Sequence, residues 1–517
     1  FTEPLDFSAP RRGEDNAVQR VHTFMAHHQG MTLLALCDLL CDGAPRAWFE
    51  RVPRAAAFAT LTHERMPRSI VLQSRAIPRP PHRDDATPGL TTARALDPST
   101  VARGEGPTLM LGNGRYGLTL RATGAGQSRW HGRAISRARD DLLRDAHGHW
   151  LRIEIGPGQP PCSLTHMPLP GEGIRRETRF YADRAEFDAR GRLWEASMKV
   201  WVSADDDVEL RELTLRNLLD QPVQVTLTSL FEAALAPQAT DESHPVFSGL
   251  FVHAQADGDD ALLLERRPNR ESDASVWVAH FLACCDEGPV QAQVVADRAA
   301  LMPRRGEPAQ WRAAPEPAPP HHGRGRPPPV DTGLDPVASV TVRLWLPANG
   351  RRRLTFATAA AFDEPTLRAV VDEYRQQSHV RRSALMAATL ARIRQRELRH
   401  GAADQHAVQD LTTRMTMSCS SPRAVPAHAF DRRALWRFGL SGERPLALVR
   451  IHGTQGLRVV RTLLAAQRLW DELGLHADLV ILNGEPASYL MPLQRRLGEL
   501  RDALGLGGER EGWRGSV

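Results

Sequence analysis

Apolar residues along this chain follow two different periods, and the period changes where the fold should change. From about 108 to 360 the pattern is one of short alternating runs: Leu118 to Arg121, Trp150 to Ile155, Ala196 to Val202, Glu209 to Arg216, Val223 to Leu230 and Val340 to Leu346. Alternation of period two buries one face of a pleated strand, and the Gly, Pro, Asn and Asp residues bounding the runs supply turns. A stretch this long predicts a large β-sandwich rather than a small module. Inside it, 303–330 is rich in Pro, Arg, Gly and His, cannot bury a core, and reads as a disordered loop.

On both sides the period becomes helical. Over 15–42 the spacing of Val18, Val21 and Met25 predicts a helix, with Asp15 as N-cap and Gly43 as a stop. Prolines 53, 67, 78, 80, 81 and 88 break up 44–107, which reads as a connector with short elements. From 364 to 415 the 3.6 period returns behind the start signal Asp363-Glu364-Pro365, so 363–432 reads as a helical linker. The last part, 433–517, predicts a strand over Pro445–Ile451, a helix over Leu457–Leu473, a strand over Ala477–Leu482 and a helix over Tyr489–Leu504. That order implies a parallel pair joined by a crossover helix. The expected fold class is mainly β: a large β-supersandwich with flanking helices and a C-terminal β-α-β-α segment.

Composition narrows the function classes. Of 517 residues 42% are apolar and 25% charged, which excludes a disordered tail protein and a collagen. Lys and Arg number 66 against 61 Asp and Glu, and the acids are interleaved with the bases, so no face is set aside for nucleic acid. No apolar run is long enough to span a bilayer, which predicts a cytoplasmic segment without a membrane span. Six cysteines, at 37, 41, 162, 284, 285 and 419, form no C-x-x-C pair and read as free thiols of a reducing compartment. Phe1 at the start and a glycine-containing tail at the end read as cuts in a longer polypeptide.

Four short strings carry candidate chemistry. Gly112-Asn113-Gly114-Arg115-Tyr116-Gly117 matches a dinucleotide-loop pattern, but it lies between two strand-like runs, where Asn113-Gly114 reads as a hairpin turn. Asp205-Asp206-Asp207 offers carboxylates for a metal, yet its place between two strands reads as a solvated turn. Trp130 beside Arg129 suits sugar binding, since an indole stacks on the C–H face of a sugar and a guanidinium bonds hydroxyls; the competing reading is a core tryptophan. His27, His28 and Gln29 form a polar cluster in an apolar helix. Adjacent histidines point about 100° apart and lack the i, i+4 spacing of metal ligands, leaving hydrogen-bonded core histidines or a sugar-binding patch. No catalytic carboxylate pair and no metal site stands out.

The strings also carry a resemblance. Phe24 to Leu36, with Met25-Ala26-His27-His28-Gln29-Gly30-Met31 at its centre, resembles a helix that closes the glycoamylase-like domain of cyclic β-1,2-glucan synthases. Leu111 to Tyr116 with Ser128-Arg129-Trp130, then Phe180 to Phe187, Asp206 to Arg211 and His244 to Ser248, resemble the same family in the same order. So do Leu435 to Glu443 and Asp478 to Asn483. The resemblance implies that 1–43 ends a glycoamylase-like domain. It implies that 108–362 is a supersandwich of the glycoside hydrolase family 94 type, similar to galactose-mutarotase-like sugar-binding folds. In such synthases a membrane-embedded transferase polymerises glucose from UDP-glucose, and a phosphorylase-like part controls chain length using inorganic phosphate. The general-acid Asp of that part belongs to a barrel with no counterpart after Asn483, so no catalytic residue is carried over. The implied role is to bind and position a β-glucan oligosaccharide for the remaining domains of an inner-membrane-anchored parent. A non-catalytic carbohydrate-binding scaffold and a soluble β-oligoglucan phosphorylase are the alternatives.

Overall fold

Alternation in the middle of the chain closes two antiparallel sheets face to face in the computed structural model. The structure describes residues 5–6, 19–20, 26–51, 93–138, 147–156, 160–268, 274–286, 290–302, 329–398, 401–417, 431–486 and 491–503. They fall into two units, 1–77 with 426–439 and 78–425 with 440–517.

In the larger unit, a ten-stranded sheet runs from Pro329–Val330 at one edge to Arg94–Ala95 at the other. At its centre, Val276–Cys285, Arg351–Ala361, Val208–Asn217 and Trp194–Val202 lie side by side. A nine-stranded sheet faces it, built around the long strand Val223–Pro237, which pairs with Pro336–Leu346, His149–Ile155 and Arg133–Ser136. Gly126–Trp130, Tyr116–Arg121 and Thr108–Gly112 continue it to the edge. Between the sheets Leu118, Ile135, Phe180, Phe187, Leu213, Phe231 and Phe356 are buried in one core.

The back of the ten-stranded sheet is covered by two helices, Glu364–Tyr374 and Gln377–Leu398. Leu367, Val371, Tyr374, Val380 and Ala387 from them pack on Trp201, Leu210 and Phe281. The first helix starts where the sequence predicts: Asp363 Oδ1 accepts the Thr366 N–H at 2.8 Å and Pro365 occupies the first turn. Helix Ala402–Met417 follows. The C-terminal order is also as expected: Leu446–Ile451 pairs in parallel with Asp478–Asn483, joined by helix Leu457–Glu472, with Pro492–Ala503 after them.

Three expectations need correction. Helix Ala26–Leu40 accounts for only part of 15–42, since Gln19–Arg20 pairs as strand with Leu5–Asp6; β-branched Val18 and Val21 on either side lower helix propensity there. Asp15 lies outside the described residues. Gly43 does stop that helix, at φ 75°, and Ala44–Glu50 is one of the short elements expected of the connector. The supersandwich also begins before 108: Arg94–Ala95 pairs with Arg179–Phe180, and Asp97 caps the short helix Pro98–Ala102, which buries Val101. Of the predicted loop, 303–328 lies outside the described residues, whereas Val330 and Pro329 pair with Ala254 and Gln255. Among the described residues no helix is long and apolar enough to cross a membrane, which says nothing of a β-barrel.

Candidate functional site

The hairpin Thr108–Gly112 to Tyr116–Arg121 sets the site. Gly112 pairs with Gly117, and Asn113 N–H donates to Tyr116 O at 3.1 Å, so Gly114 and Arg115 are the two central turn residues. Gly114 has φ 94°, the conformation that puts glycine first in a two-residue hairpin. The turn is thus shifted by one from Asn113-Gly114, because Asn113 is needed as its side-chain brace: Oδ1 accepts the N–H groups of Arg115 at 3.0 Å and Tyr116 at 2.9 Å. The outer glycines have a packing reason. A Cβ on Gly117 would lie 2.8 Å from the Leu473 carbonyl oxygen, and one on Gly112 2.8 Å from Leu473 Cδ2, so the C-terminal segment sits directly on this hairpin. The dinucleotide-like string is a hairpin and a docking surface.

With its oxygen committed, Asn113 turns its amide onto the neighbouring loop. Nδ2 donates to Ser203 O at 3.0 Å and Asp206 O at 2.9 Å. The Asp205–Asp207 turn is therefore fixed by its neighbours while remaining partly solvated, with Asp205 exposed and Asp206 and Asp207 half-buried. Asp207 Oδ1 accepts from Arg115 Nε at 2.8 Å and Oδ2 from Trp130 Nε1 at 2.8 Å. Tyr374 Oη donates to Asp206 Oδ2 at 2.8 Å. Among the described residues no group of three His, Cys, Asp or Glu could hold a metal ion.

Trp130 is 1% exposed, so it offers no free face to a sugar and stands as a core residue. Two exposed rings lie against it: Phe362, with centroids 4.4 Å apart, and His131, at 4.9 Å. Phe362 is 46% exposed and 5.2 Å from His131. The surface so formed is an aromatic rim held from beneath by a hydrogen-bonded indole, with the Arg115 guanidinium on the other side of Asp207. Such a rim combines a C–H-binding face with polar groups suited to hydroxyls.

Behind the rim, the same strands carry a buried polar network between the sheets. Glu209 accepts from Ser128 Oγ at 2.5 Å, Tyr116 Oη at 3.3 Å and Arg211 Nε at 2.8 Å, and lies 3.6 Å from His149 Nδ1. Burial alone would raise the Glu209 carboxyl, but Arg211 and the hydrogen bonds from His149 and Ser128 hold it well below the usual carboxylate range. Burial, then Arg211, lowers His149 to about 4. A neutral His149 ring fits its partners: Nδ1–H faces Glu209, and Nε2 accepts from Ser229 Oγ at 2.7 Å. Burial also depresses His280, whose neutral ring has a single N–H for two carbonyl oxygens, Ser229 O at 3.2 Å from Nε2 and Ala357 O at 3.2 Å from Nδ1, with Thr358 Oγ1 at 3.1 Å from Nδ1. No member of this network is exposed, so it braces the two sheets and does not itself meet a ligand.

Arg129 and Trp130 are neighbours in sequence that strand alternation sends to opposite faces. Arg129 Nη1 donates to Gly474 O at 3.2 Å, its Nε has no hydrogen-bond partner among the described residues, and burial lowers its pKa. It holds the C-terminal segment. His27, His28 and Gln29 belong to the other unit. No residue of helix Ala26–Leu40 is buried among the described residues, and the His27 and His28 rings lie 4.1 Å apart at 63°.

Sequence reasoning did not single out Phe362, His131, Glu209, Arg211, His149 or His280. A signal for two of them exists. In Val208-Glu209-Leu210-Arg211-Glu212-Leu213-Thr214-Leu215 the apolar phase slips by one after Arg211, although pairing with both neighbouring strands continues without a bulge. Glu209 and Arg211 must then share the inner face with Leu213 and Leu215, which is where they are.

Against known proteins, the supersandwich domain of glycosyl hydrolase 94 matches residues 102–377. Cyclic beta-(1,2)-glucan synthase NdvB of Rhizobium meliloti (strain 1021) is 27% identical over 519 residues, covering 99% of this chain and 18% of that protein. The chain thus spans under a fifth of that relative's length. Among solved structures, a candidate kojibiose phosphorylase from human microbiome is 8% identical with TM-score 0.36, over 63% of this chain and 41% of that one. A bacterial glucoamylase complexed with acarbose is 7% identical with TM-score 0.34, over 63% and 44%.

Proposed function

The chain belongs to the glycosyl hydrolase 94 supersandwich family, and from that premise we propose that its sandwich binds a β-glucan chain and positions it for a larger glucan-handling enzyme. Its 27% identity along almost the whole chain to a cyclic beta-(1,2)-glucan synthase supports the glucan as the ligand class. The observation that carries the reading is the rim: Phe362 is 46% exposed beside exposed His131, and it rests on buried Trp130, which Asp207 fixes. A pyranose ring stacks its C–H face on Phe362, while Arg115 and His131 bond its hydroxyls. Because Asp207 holds Arg115 and Trp130 together, the site is organised before the glucan arrives and loses little side-chain freedom on binding.

In this reading bond chemistry belongs to other parts of the longer polypeptide, where phosphate would attack as an anion needing no general base and one carboxylic acid would protonate the leaving oxygen. The sandwich contributes to chain-length control by holding the glucan in register for phosphorolysis. UDP-glucose is used by the transferase part of such a parent, not by this chain. Calorimetric titration of Phe362→Ala with linear β-1,2-glucooligosaccharides tests the rim. Affinity at the rim at least about tenfold weaker than in the unmodified chain, ~1.4 kcal/mol or more, is expected; unchanged affinity would move sugar recognition elsewhere.

A further inference from the structure

The outer face of the nine-stranded sheet carries a second exposed aromatic, far from the rim. Strand Pro336–Leu346 alternates strictly at its end: Leu344 and Leu346 enter the core, and Trp345 points outward, 55% exposed. Gln224 lies directly opposite Trp345 on the neighbouring strand. One row further along, Glu154, Thr226, Arg343 and Gln291 stand side by side across four strands, paired Glu154 with Thr226, Thr226 with Arg343, and Arg343 with Gln291. At roughly 4.8 Å between strands this polar row is about 14 Å long. Trp345 lies at the end of Pro336–Leu346 from which the chain crosses to Arg351–Ala361 in the facing sheet, and Phe362 lies just past the far end of that second strand, so its eleven residues, about 36 Å, separate the two.

We propose that Trp345, with Gln224, Arg343 and Gln291, forms a second glucan contact on this face. The chemistry favours a sugar over a protein partner. A stable protein interface needs a desolvated core of several apolar side chains over some 1,200 Å² or more. Here one indole stands alone among flat polar side chains: no other large exposed hydrophobic residue is found on the described strands of this sheet. A single ring bordered by amides and a guanidinium matches one pyranose stacked and its hydroxyls bonded at the edge. The row's length spans two to three sugar units, which gives a chain rather than a monosaccharide as the ligand. The inference rests on the glucan reading of the family but uses residues independent of the rim.

Calorimetry with a long linear β-1,2-glucooligosaccharide, on the unmodified chain and on Trp345→Ala and Phe362→Ala, separates the two. The expected result is two sites per chain in the unmodified protein and one in each variant, with circular dichroism unchanged by the exposed Trp345→Ala. One site that only Phe362→Ala removes would overturn this contact and leave the rim reading intact. One site that only Trp345→Ala removes would do the reverse, and no binding at all would overturn both. Concentration-dependent dimerisation abolished by Trp345→Ala, with glucan binding unaltered, would assign the face to a second copy of the chain and overturn the proposal.

Discussion

Glu209 and Arg211 put a charged pair inside the sandwich, and their environment decides how the protein responds to acid. His149 is neutral when folded because burial and Arg211 depress it to about 4, whereas the free side chain titrates near 6.5. A depressed histidine contributes stability that is complete above about 6.5 and is lost as the pH falls toward 4, since the unfolded chain binds the proton first. The contribution is on the order of 3 kcal/mol, and depressed His280 acts in the same direction. Urea unfolding at pH 7 and pH 5 should therefore show a clear loss, and His149→Gln should flatten the difference; an identical slope in the variant would contradict this. Glu209→Gln removes one charge and leaves Arg211 buried without its carboxylate, which should cost about 3–5 kcal/mol. A loss below 1 kcal/mol in denaturant unfolding would mean the pair is dispensable.

At the scale of elements, the hairpin Thr108–Gly112 to Tyr116–Arg121 connects three parts of the larger unit: its tip braces the 203–207 loop, its strands feed the buried network, and its glycines receive the C-terminal segment. Gly117→Ala drives a Cβ into the Leu473 carbonyl, so the Leu473–Gly474 turn must lift away. An overpacking cost of about 1–3 kcal/mol is expected, read as faster proteolytic cleavage within 440–503 while the sheets stay protected; unchanged cleavage would refute the docking role. These elements were largely legible. Period two located the strands, and Asp363 and the β-α-β-α order were read correctly, because local chemistry sets both. The site was less legible. Trp130 reads more readily as a packing residue than as a platform, and its part in a rim depends on its partners Asp207 and Phe362, which lie 77 and 232 residues away. Phe362 follows the alanine-rich end of a strand and carries no local sign that Trp130 will support it.

For the molecule as a whole, all three cores built around the two sheets lie between Leu96 and Ala387. The excised segment 93–398 should consequently unfold in one cooperative transition, and 108–380 should be weaker for want of the edge strand Arg94–Ala95 and buried Val101. A molten, protease-labile 93–398 would contradict a self-contained sandwich. In the other unit, Met31, Leu33, Leu34, Leu39 and Leu40 on the described helix Ala26–Leu40 are each more than 60% exposed and spread around the helix rather than along one face. Stability is thus assigned to the sandwich, to which glucan binding is also proposed to belong.

That assignment is tested most directly by calorimetric titration of the folded, unmodified chain with linear β-1,2-glucooligosaccharides, with cellooligosaccharides as the control. Saturable heat with the β-1,2 series and little with the controls is the predicted result. No heat with either series would contradict glucan binding by the sandwich and leave it as a structural support.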